Sequence, residues 1–198
     1  MNFSTTINGG TLEYIDAEHL YFYDGILLPS ITQIVRSHYP NIYSDVLPYV
    51  LAKAARKGTL VHEAIERYYT TGESSDFPEV ASIIAFQSEH KFEVVGTEVP
   101  LVLFRMDEPV AAGRCDMVLM QQDKTLAGAD IKRTKNLHMD YLIYQLNLYR
   151  IAYRQCYRRE WKSLKCFHLR DKIRRIVDIP IDEAAGWTLI EEFMEAQK

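Results

Sequence analysis

The order of helical and strand-like segments predicts an α/β or α+β fold in which helices flank a mixed central β-sheet. A long amphipathic segment comes first, a run of strand-like segments follows, and a second long helical segment precedes the last strand-like pair. The 198 residues, 47% hydrophobic and 25% charged, suffice for one globular domain with a core. We therefore predict a single domain over residues 1–198, with an N-terminal extension of a β-hairpin and a helix at about residues 1–45.

Periodicity and turn residues predict the individual elements. The extension contains two short strands, Leu12–Asp16 and His19–Tyr23, and a short helix, Ile31–Ser37, which Ser30 caps. A long helix runs from Pro48 to about Thr70, with an apolar stripe on one side. The remaining elements are a helix Glu79–Lys91, a strand Phe92–Met106, a hairpin of Ala111–Met120 and Thr125–Lys132, a helix His138–Arg159, a hairpin of Leu164–Leu169 and Ile173–Ile179, and a helix from Asp182 to about Ala196.

The first of these hairpins contains the most informative residues of the chain. A turn centred on Asp123 places Asp116 directly opposite Asp130, at a Cβ separation of roughly 4.5–5.5 Å. Lys132 follows Asp130 by two residues, so strand alternation puts it on the same face. The opposite face is apolar and is expected to face a core: Cys115, Met117, Leu119, Ala127, Ala129 and Ile131.

Two facing carboxylates beside an ammonium indicate metal and phosphate chemistry. Opposed carboxylates repel each other unless something offsets their charge, and a hard divalent cation such as Mg²⁺ does so through oxygen ligands. The ammonium of Lys132 is suited to stabilise charge that develops on a phosphate. The alternative is a pair of surface charges at a hairpin rim, with Lys132 pairing Asp130.

Four further residues are candidates for the same site. His62 lies off the apolar stripe of its helix and is either a metal ligand or a surface residue. Gln145 and Tyr149 are one helical turn apart in an apolar segment, where a glutamine needs a hydrogen-bond partner. Glu98, on the strand before the hairpin, is either an additional metal ligand or an exposed glutamate.

The net charge of the chain is −4, but its basic residues are concentrated in one segment. Ten lysines and arginines lie between Arg150 and Arg175, opposed only by two acidic residues of that segment. Arg150, Arg154 and Arg158 recur every four residues and form a predicted cationic stripe for substrate phosphates; the alternative is a solvated helix face.

The expected localisation rests on two segment types that the sequence does not contain. The first residues contain no secretory signal, and no segment is apolar enough to span a membrane, so cytoplasmic residence, in a bacterium or a phage-infected host cell, is expected. The three scattered cysteines match neither a zinc site nor a disulfide framework.

Four motifs, taken together and in order, resemble the PD-(D/E)XK nuclease superfamily, most closely the RecB-like and phage-type exonucleases. They are "GTLVHEAIE" with His62, "AAGRCDMV" with Asp116, "GADIKRT" with Asp130 and Lys132, and "QLNLY" with Gln145 and Tyr149. The segment "YFYDGILLPSITQIV" resembles one that precedes the histidine helix in phage members. The resemblance covers roughly Tyr21 to Tyr153 and implies a restriction-endonuclease-like core.

The resemblance also implies roles for these residues. Asp116, Asp130 and His62, with the backbone carbonyl of Ile131, would bind Mg²⁺ or Mn²⁺. Lys132 would position the attacking water, while Gln145 and Tyr149 would support the site and the substrate. Related members bind an iron–sulfur cluster through four cysteines; this chain has three, differently spaced, so no cluster is expected.

The function expected from the resemblance is a divalent-metal-dependent DNA exonuclease of phage or prophage recombination or of DNA repair, acting on linear DNA with a free end. No helicase motif is present, so unwinding would require a partner such as a recombination or single-strand-binding protein. The alternatives are a structure-specific endonuclease on the same fold and a nucleic-acid-binding module without catalysis.

Overall fold

The computed structural model of this protein describes residues 2–197, which form two β-sheets, five α-helices and a short 3-10 helix at Asp16–Glu18. The elements in chain order are β1 (Phe3–Ile7), β2 (Gly10–Ile15), β3 (Leu20–Tyr23), β4 (Ile26–Leu28), α1 (Ile31–His38), α2 (Pro48–Thr71), α3 (Pro78–His90), β5 (Glu93–Arg105), β6 (Glu108–Met120), β7 (Leu126–Lys132), α4 (Met139–Tyr157), β8 (Trp161–Arg170), β9 (Ile173–Ile179) and α5 (Glu183–Glu195). Across residues 2–197, no helix has both the length and the apolar character needed to cross a membrane.

The central sheet is mixed, as the sequence predicts. Its strand order is β5-β6-β7-β8-β9, and every neighbouring pair is antiparallel except β7 and β8. Two parallel strands cannot be joined by a tight turn, and α4 makes the crossover between them. The predicted α/β class is confirmed.

Helices cover both faces of the central sheet. One apolar cluster joins α1, α4 and α5 to the sheet, with Trp161 and Leu146 fully buried in it. A second joins α2 and α3 to the opposite face, around Met117 and Phe167. The sheet is therefore the middle layer of three. Because helices cover both of its faces, a ligand can reach it at the ends of its strands.

The N-terminal extension is larger than the sequence analysis predicts. It is a four-stranded antiparallel sheet followed by α1, not a single hairpin and a helix. The two strands that were missed, β1 and β4, are joined to their neighbours by the turns Asn8-Gly9 and Asp24-Gly25, in which all four residues have positive φ. Asn-Gly and Asp-Gly are the usual residues of such two-residue hairpin turns, so these dipeptides were the overlooked signal.

The capping residues agree with the prediction. The Ser30 side chain accepts a hydrogen bond from the N–H of Gln33, and the Gln33 side chain accepts one from the N–H of Ser30, which makes a complete capping box for α1. Asp182 caps α5 by accepting from the N–H of Ala185. The second long helix ends at Tyr157, two residues earlier than predicted.

The predicted hairpin register is confirmed. Met117 pairs with Ala129 and Val118 with Gly128, which is the register centred on Asp123. The apolar face is also as predicted, with one exception: Cys115 belongs to the cluster under α4, whereas the other five residues belong to the cluster under α2 and α3. The side-chain alternation of β6 therefore shifts by one residue between Cys115 and Val118.

Candidate functional site

One cavity of about 550 Å³ collects the predicted metal-binding and catalytic residues. It opens where α2, α4 and the N-terminal extension meet β5, β6 and β7. All eight residues line it: His62, Glu98, Asp116, Asp130, Ile131, Lys132, Gln145 and Tyr149. These residues come from five different elements, so their convergence is a property of the fold and not of the spacing in any one segment.

A chain of hydrogen bonds crosses the floor of the cavity. Lys132 Nζ lies 2.9 Å from Asp130 Oδ1 and 3.1 Å from Gln145 Oε1. Gln145 Nε2 donates to the Tyr149 hydroxyl at 3.2 Å, and that hydroxyl lies 3.2 Å from Thr32 Oγ1 on α1. The buried glutamine thus has partners on both sides, which fixes the position of the Lys132 ammonium.

Asp130 keeps one oxygen without a hydrogen bond. The residue is only 2% exposed, and Lys132 Nζ lies 2.8 Å from its Oδ2. The contact between Lys132 Nζ and Oδ2 is an ion pair without hydrogen-bond geometry, so Oδ2 has no hydrogen-bond partner within residues 2–197. A buried carboxylate oxygen in this state favours a cation as an additional partner.

The other carboxylates surround His62. Its Nδ1 lies 3.5 Å from Asp116 Oδ1 and 3.6 Å from Glu98 Oε1. One potential ligand atom from each of these three residues falls within 4.8 Å of the other two. Asp116 Oδ2 accepts a hydrogen bond from the N–H of Ile131 at 2.6 Å, so the Asp116 carboxylate is anchored to β7 while its Oδ1 points toward His62.

Glu98 reaches the site through an unusual backbone conformation. Thr97 pairs with Met117 and Val99 with Cys115, so Glu98 lies opposite Asp116 between them. Its φ is 47°, in the left-handed region that a residue with a Cβ adopts only at a cost. The strained residue brings a third carboxylate next to two others, which is the location where such strain is most often functional.

Arg114 was not identified as a site residue from the sequence. Its Nε lies 3.3 Å from Glu98 Oε2, on the opposite oxygen from His62, and its guanidinium lies 4.4 Å from the centre of the Tyr14 ring on β2. The N-terminal sheet therefore contributes to the position of Glu98 through Arg114. The only sequence signal was the place of Arg114 two residues before Asp116.

Negative charge dominates the cavity. Six carboxylates line it, against the three fixed cations Arg36, Arg114 and Lys132. The carboxylates are Asp16, Glu63, Glu66, Glu98, Asp116 and Asp130. An anionic substrate would be repelled from this cavity unless a cation were also bound there.

The pKa values of the clustered groups reflect this crowding. Burial lowers the pKa of His62, but the negative charges of Asp116 and Glu98 outweigh it and raise the pKa to about 9. Burial, together with the charges of Asp130 and Glu98, raises the pKa of Asp116 above its usual range in spite of His62. For Lys132, the charges of Asp130 and Asp116 outweigh burial, so its pKa is raised and the side chain is an ammonium.

The donor set fits a hard divalent cation. Carboxylate oxygens are preferred ligands of Mg²⁺ and Mn²⁺. His62, Glu98 and Asp116 offer their ligand atoms in one small volume, and Asp130 Oδ2 is the carboxylate oxygen that lacks a hydrogen bond. Ile131, predicted to contribute its carbonyl, lines the same cavity.

Two of the three arginines in the predicted cationic stripe on α4 are engaged in ion pairs. Arg150 is only 8% exposed and donates to the carbonyl of Trp161 and to Glu160 and Glu183. Arg154 donates to the same two glutamates. Glu183 lies on α5, well beyond the basic segment, so spacing within that segment does not reveal this contact.

The third residue of the stripe is also displaced. Arg158 follows the end of α4 and has a φ of 56°, so it is the helix C-cap and does not continue the row. Arg150, Arg154 and Lys162 share the two carboxylates of Glu160 and Glu183, and Arg154 is still 41% exposed. Buried Arg150 is therefore not a free surface cation, and a role of Arg154 and Arg158 in substrate binding stays a prediction.

Comparisons with known proteins identify no family. No protein-family model matches the sequence, and no curated protein matches it. Among solved structures, the crystal structure of SSO0001 is similar, with a TM-score of 0.49 and 17% sequence identity over 85% of this chain and 76% of that chain. A likeness of this size indicates neither a family nor an activity for this protein.

Proposed function

We propose that this protein is a divalent-metal-dependent deoxyribonuclease of the PD-(D/E)XK type that hydrolyses phosphodiester bonds. The single observation that carries the proposal is the convergence of His62, Glu98, Asp116, Asp130 and Lys132 on one cavity from four different elements. An ammonium hydrogen-bonded to a buried aspartate, next to three more side chains able to ligate a cation, is an arrangement suited to phosphoryl chemistry.

The arrangement of the elements supports the resemblance beyond the motifs themselves. The paired aspartates lie on adjacent antiparallel strands of a mixed sheet, Lys132 is two residues past Asp130, and Gln145 and Tyr149 reach the same cavity from the helix that follows. A restriction-endonuclease-like core has this mixed sheet flanked by helices. The complete set of two aspartates, a lysine and a histidine in one cavity supports catalysis over a binding module without it.

Each residue has a role that follows from its contacts. His62, Glu98, Asp116 and Asp130 would hold the cation, and Mg²⁺ or Mn²⁺ would supply Lewis acidity and a more acidic bound water. Lys132, held by Asp130 and Gln145, directs its ammonium into the cavity, where it stabilises negative charge on a phosphate. Tyr149 and Thr32 keep Gln145 in place, and Arg114 keeps Glu98 in place.

The preference for free DNA ends, and a role in phage or prophage recombination or in repair with a partner protein, rest on the family resemblance alone. End-labelled linear DNA and covalently closed circles, incubated with Mg²⁺, Mn²⁺ or EDTA, test both parts of the proposal. We expect metal-dependent loss of linear DNA while circles survive. Rapid cutting of circles would instead indicate the endonuclease alternative, and no cutting with either metal would contradict the nuclease proposal.

A further inference from the structure

A second, smaller cavity of about 170 Å³ opens beside the candidate site. The two cavities share three lining residues, Thr32, Arg36 and Lys132. A molecule that places a phosphate near Lys132 can therefore extend a neighbouring group directly into the smaller cavity. None of the roles assigned above uses this space.

The walls of the smaller cavity are largely aromatic and aliphatic. They include Tyr43 and His138, whose rings are 5.9 Å apart and perpendicular, and Tyr141 on the first turns of α4. Tyr141 contacts two of the shared lining residues. Its hydroxyl donates to the Thr32 carbonyl at 3.4 Å, and its ring centre lies 6.0 Å from Lys132 Nζ.

Two polar groups at the cavity wall have no partner in the described part of the chain. The hydroxyl of Thr134 is buried and makes no hydrogen bond within residues 2–197. The side chain of Arg36 makes neither a hydrogen bond nor an ion pair there, although its charge acts on Tyr141. A buried hydroxyl without a partner is unfavourable, so a ligand with hydrogen-bonding groups on its edge would satisfy it.

These features together specify the ligand chemistry. The cavity offers aromatic faces for a flat unsaturated ring, a hydroxyl for the polar edge of that ring, and a cation at its mouth for an attached anion. We propose that it binds one unpaired nucleobase of a DNA strand whose phosphate lies in the candidate site, with Arg36 contacting the phosphate backbone. This inference rests on the proposed function, because it takes the ligand of the larger cavity to be DNA.

The consequence is a constraint on the substrate. A base that stacks in this cavity cannot be paired in a duplex, so the nucleotide next to the reacting phosphate must be single-stranded. Any of the bases can stack on these rings because each base has an aromatic face. The subsite would therefore favour an unpaired base without a preference for a particular DNA sequence.

Single-stranded oligonucleotides that carry 2-aminopurine at successive positions from either end provide the test. The fluorescence of 2-aminopurine is quenched when it stacks, and Ca²⁺ in place of Mg²⁺ allows binding to be measured while a gel verifies that the strand remains intact. We expect quenching at one position on binding to the wild-type protein. Tyr43→Ala and Tyr141→Ala should remove that quenching and weaken binding about tenfold, the effect of one lost stacking contact.

Matched variants separate stacking from other effects. Tyr141→Phe keeps the ring and should retain the quenching, and Tyr157→Ala, at the far end of α4, should behave as wild type. If Tyr43→Ala lowers the Tm, the binding test is made with Tyr43→Leu, which also removes the aromatic ring but fills more of its space. An abasic nucleotide at the quenched position should weaken wild-type binding about tenfold and should have no further effect on Tyr43→Ala.

The outcomes distinguish this inference from the proposed function. Hydrolysis of linear DNA without quenching at any position, or with quenching that survives both tyrosine-to-alanine changes, overturns the base subsite and leaves the nuclease proposal intact. Position-specific quenching that depends on Tyr43 and Tyr141, without hydrolysis in Mg²⁺ or Mn²⁺, supports the subsite and contradicts the nuclease. Failure to bind any single strand overturns the subsite.

Discussion

The carboxylate of Asp116 accepts a hydrogen bond from the main-chain N–H of Ile131, at 2.6 Å, where the pairing of β6 with β7 stops. The register would next pair Asp116 with Asp130, and their like charges oppose that approach. The side-chain acceptor keeps the two strands together while both carboxylates turn into one cavity. An asparagine at position 116 keeps an oxygen for this bond and removes the charge.

Asp116→Asn should therefore abolish metal-dependent DNA hydrolysis and leave the fold intact. The amide oxygen can accept from Ile131, and the loss of one negative charge relieves repulsion by Asp130 and Glu98, so the free energy of unfolding should be unchanged or higher. Hydrolysis of end-labelled DNA and urea denaturation measure the two effects. Cleavage near the wild-type rate would remove Asp116 from the proposed site.

Lys132→Ala should abolish hydrolysis and also destabilise the protein. Asp130 is 2% exposed, and the change leaves its carboxylate buried without the ammonium, a loss of about 3–5 kcal/mol for a buried pair. The double variant Asp130→Asn/Lys132→Met, which has no buried charge at this pair, should recover most of that stability and remain inactive. Urea denaturation of both proteins checks the comparison; equal destabilisation would mean that the pair is not coupled.

Local patterns predicted the elements of the central sheet and its helices, because each has its own periodicity and boundary residues. The hairpin register followed from a single turn, and it correctly placed Asp116, Asp130 and Lys132 together. The position of β7 beside a parallel β8 also agreed with the predicted mixed sheet. The elements and the hairpin register depend on residues close to one another in the sequence, whereas the parallel pairing joins two strands that α4 separates.

Contacts between distant segments were not predictable in the same way. Arg150 and Arg154 both pair with Glu183, which α5 brings to α4, so two arginines that the sequence presents as a free cationic row belong to an ion-pair cluster. Arg114 meets Glu98 from the neighbouring strand and Tyr14 from the N-terminal sheet. Spacing along one helix or strand does not contain this information.

His62→Ala should weaken Mn²⁺ binding without unfolding α2. The imidazole is 28% exposed and lies at the edge of the acidic cluster, not in the apolar stripe, so its removal leaves the packing of Val61 and Ile65 intact. Calorimetric titration of Mn²⁺ into the wild type and the variant measures the change. His90→Ala, an exposed histidine at the end of α3, is the matched control and should bind as wild type. Equal Mn²⁺ affinities of all three proteins would show that His62 is a surface residue and not a metal ligand.

Glu98→Gly and Glu98→Ala separate the charge of this residue from its backbone strain. Both changes remove the carboxylate and its contact with Arg114, so both should lower Mn²⁺ affinity equally. Glycine adopts a φ of 47° without a steric penalty, whereas alanine has a Cβ and retains that penalty. The glycine variant should therefore be more stable than the alanine variant by about 1 kcal/mol. Urea denaturation gives the difference, and a more stable alanine variant would show that the left-handed backbone at position 98 carries no strain.

The dependence of DNA affinity on salt should identify which cations contact phosphates. Arg56 and Lys57 lie on the exposed first half of α2, directly before two residues that line the cavity, and their side chains make no ion pair within residues 2–197. Arg154, by contrast, forms ion pairs with Glu160 and Glu183.

The double variant Arg56→Gln/Lys57→Gln should therefore flatten the slope of log affinity against log salt by roughly 1.4–1.8 if both residues contact phosphates, since each contact contributes about 0.7–0.9. The matched double variant Arg154→Gln/Arg158→Gln should leave the slope unchanged and lower only the free energy of unfolding, because Arg154 loses its ion pairs. Binding is measured with Ca²⁺ between low and moderate salt. The reverse result, a flatter slope only for the α4 variant, would mean that DNA displaces the glutamates from Arg154 and follows α4 after all.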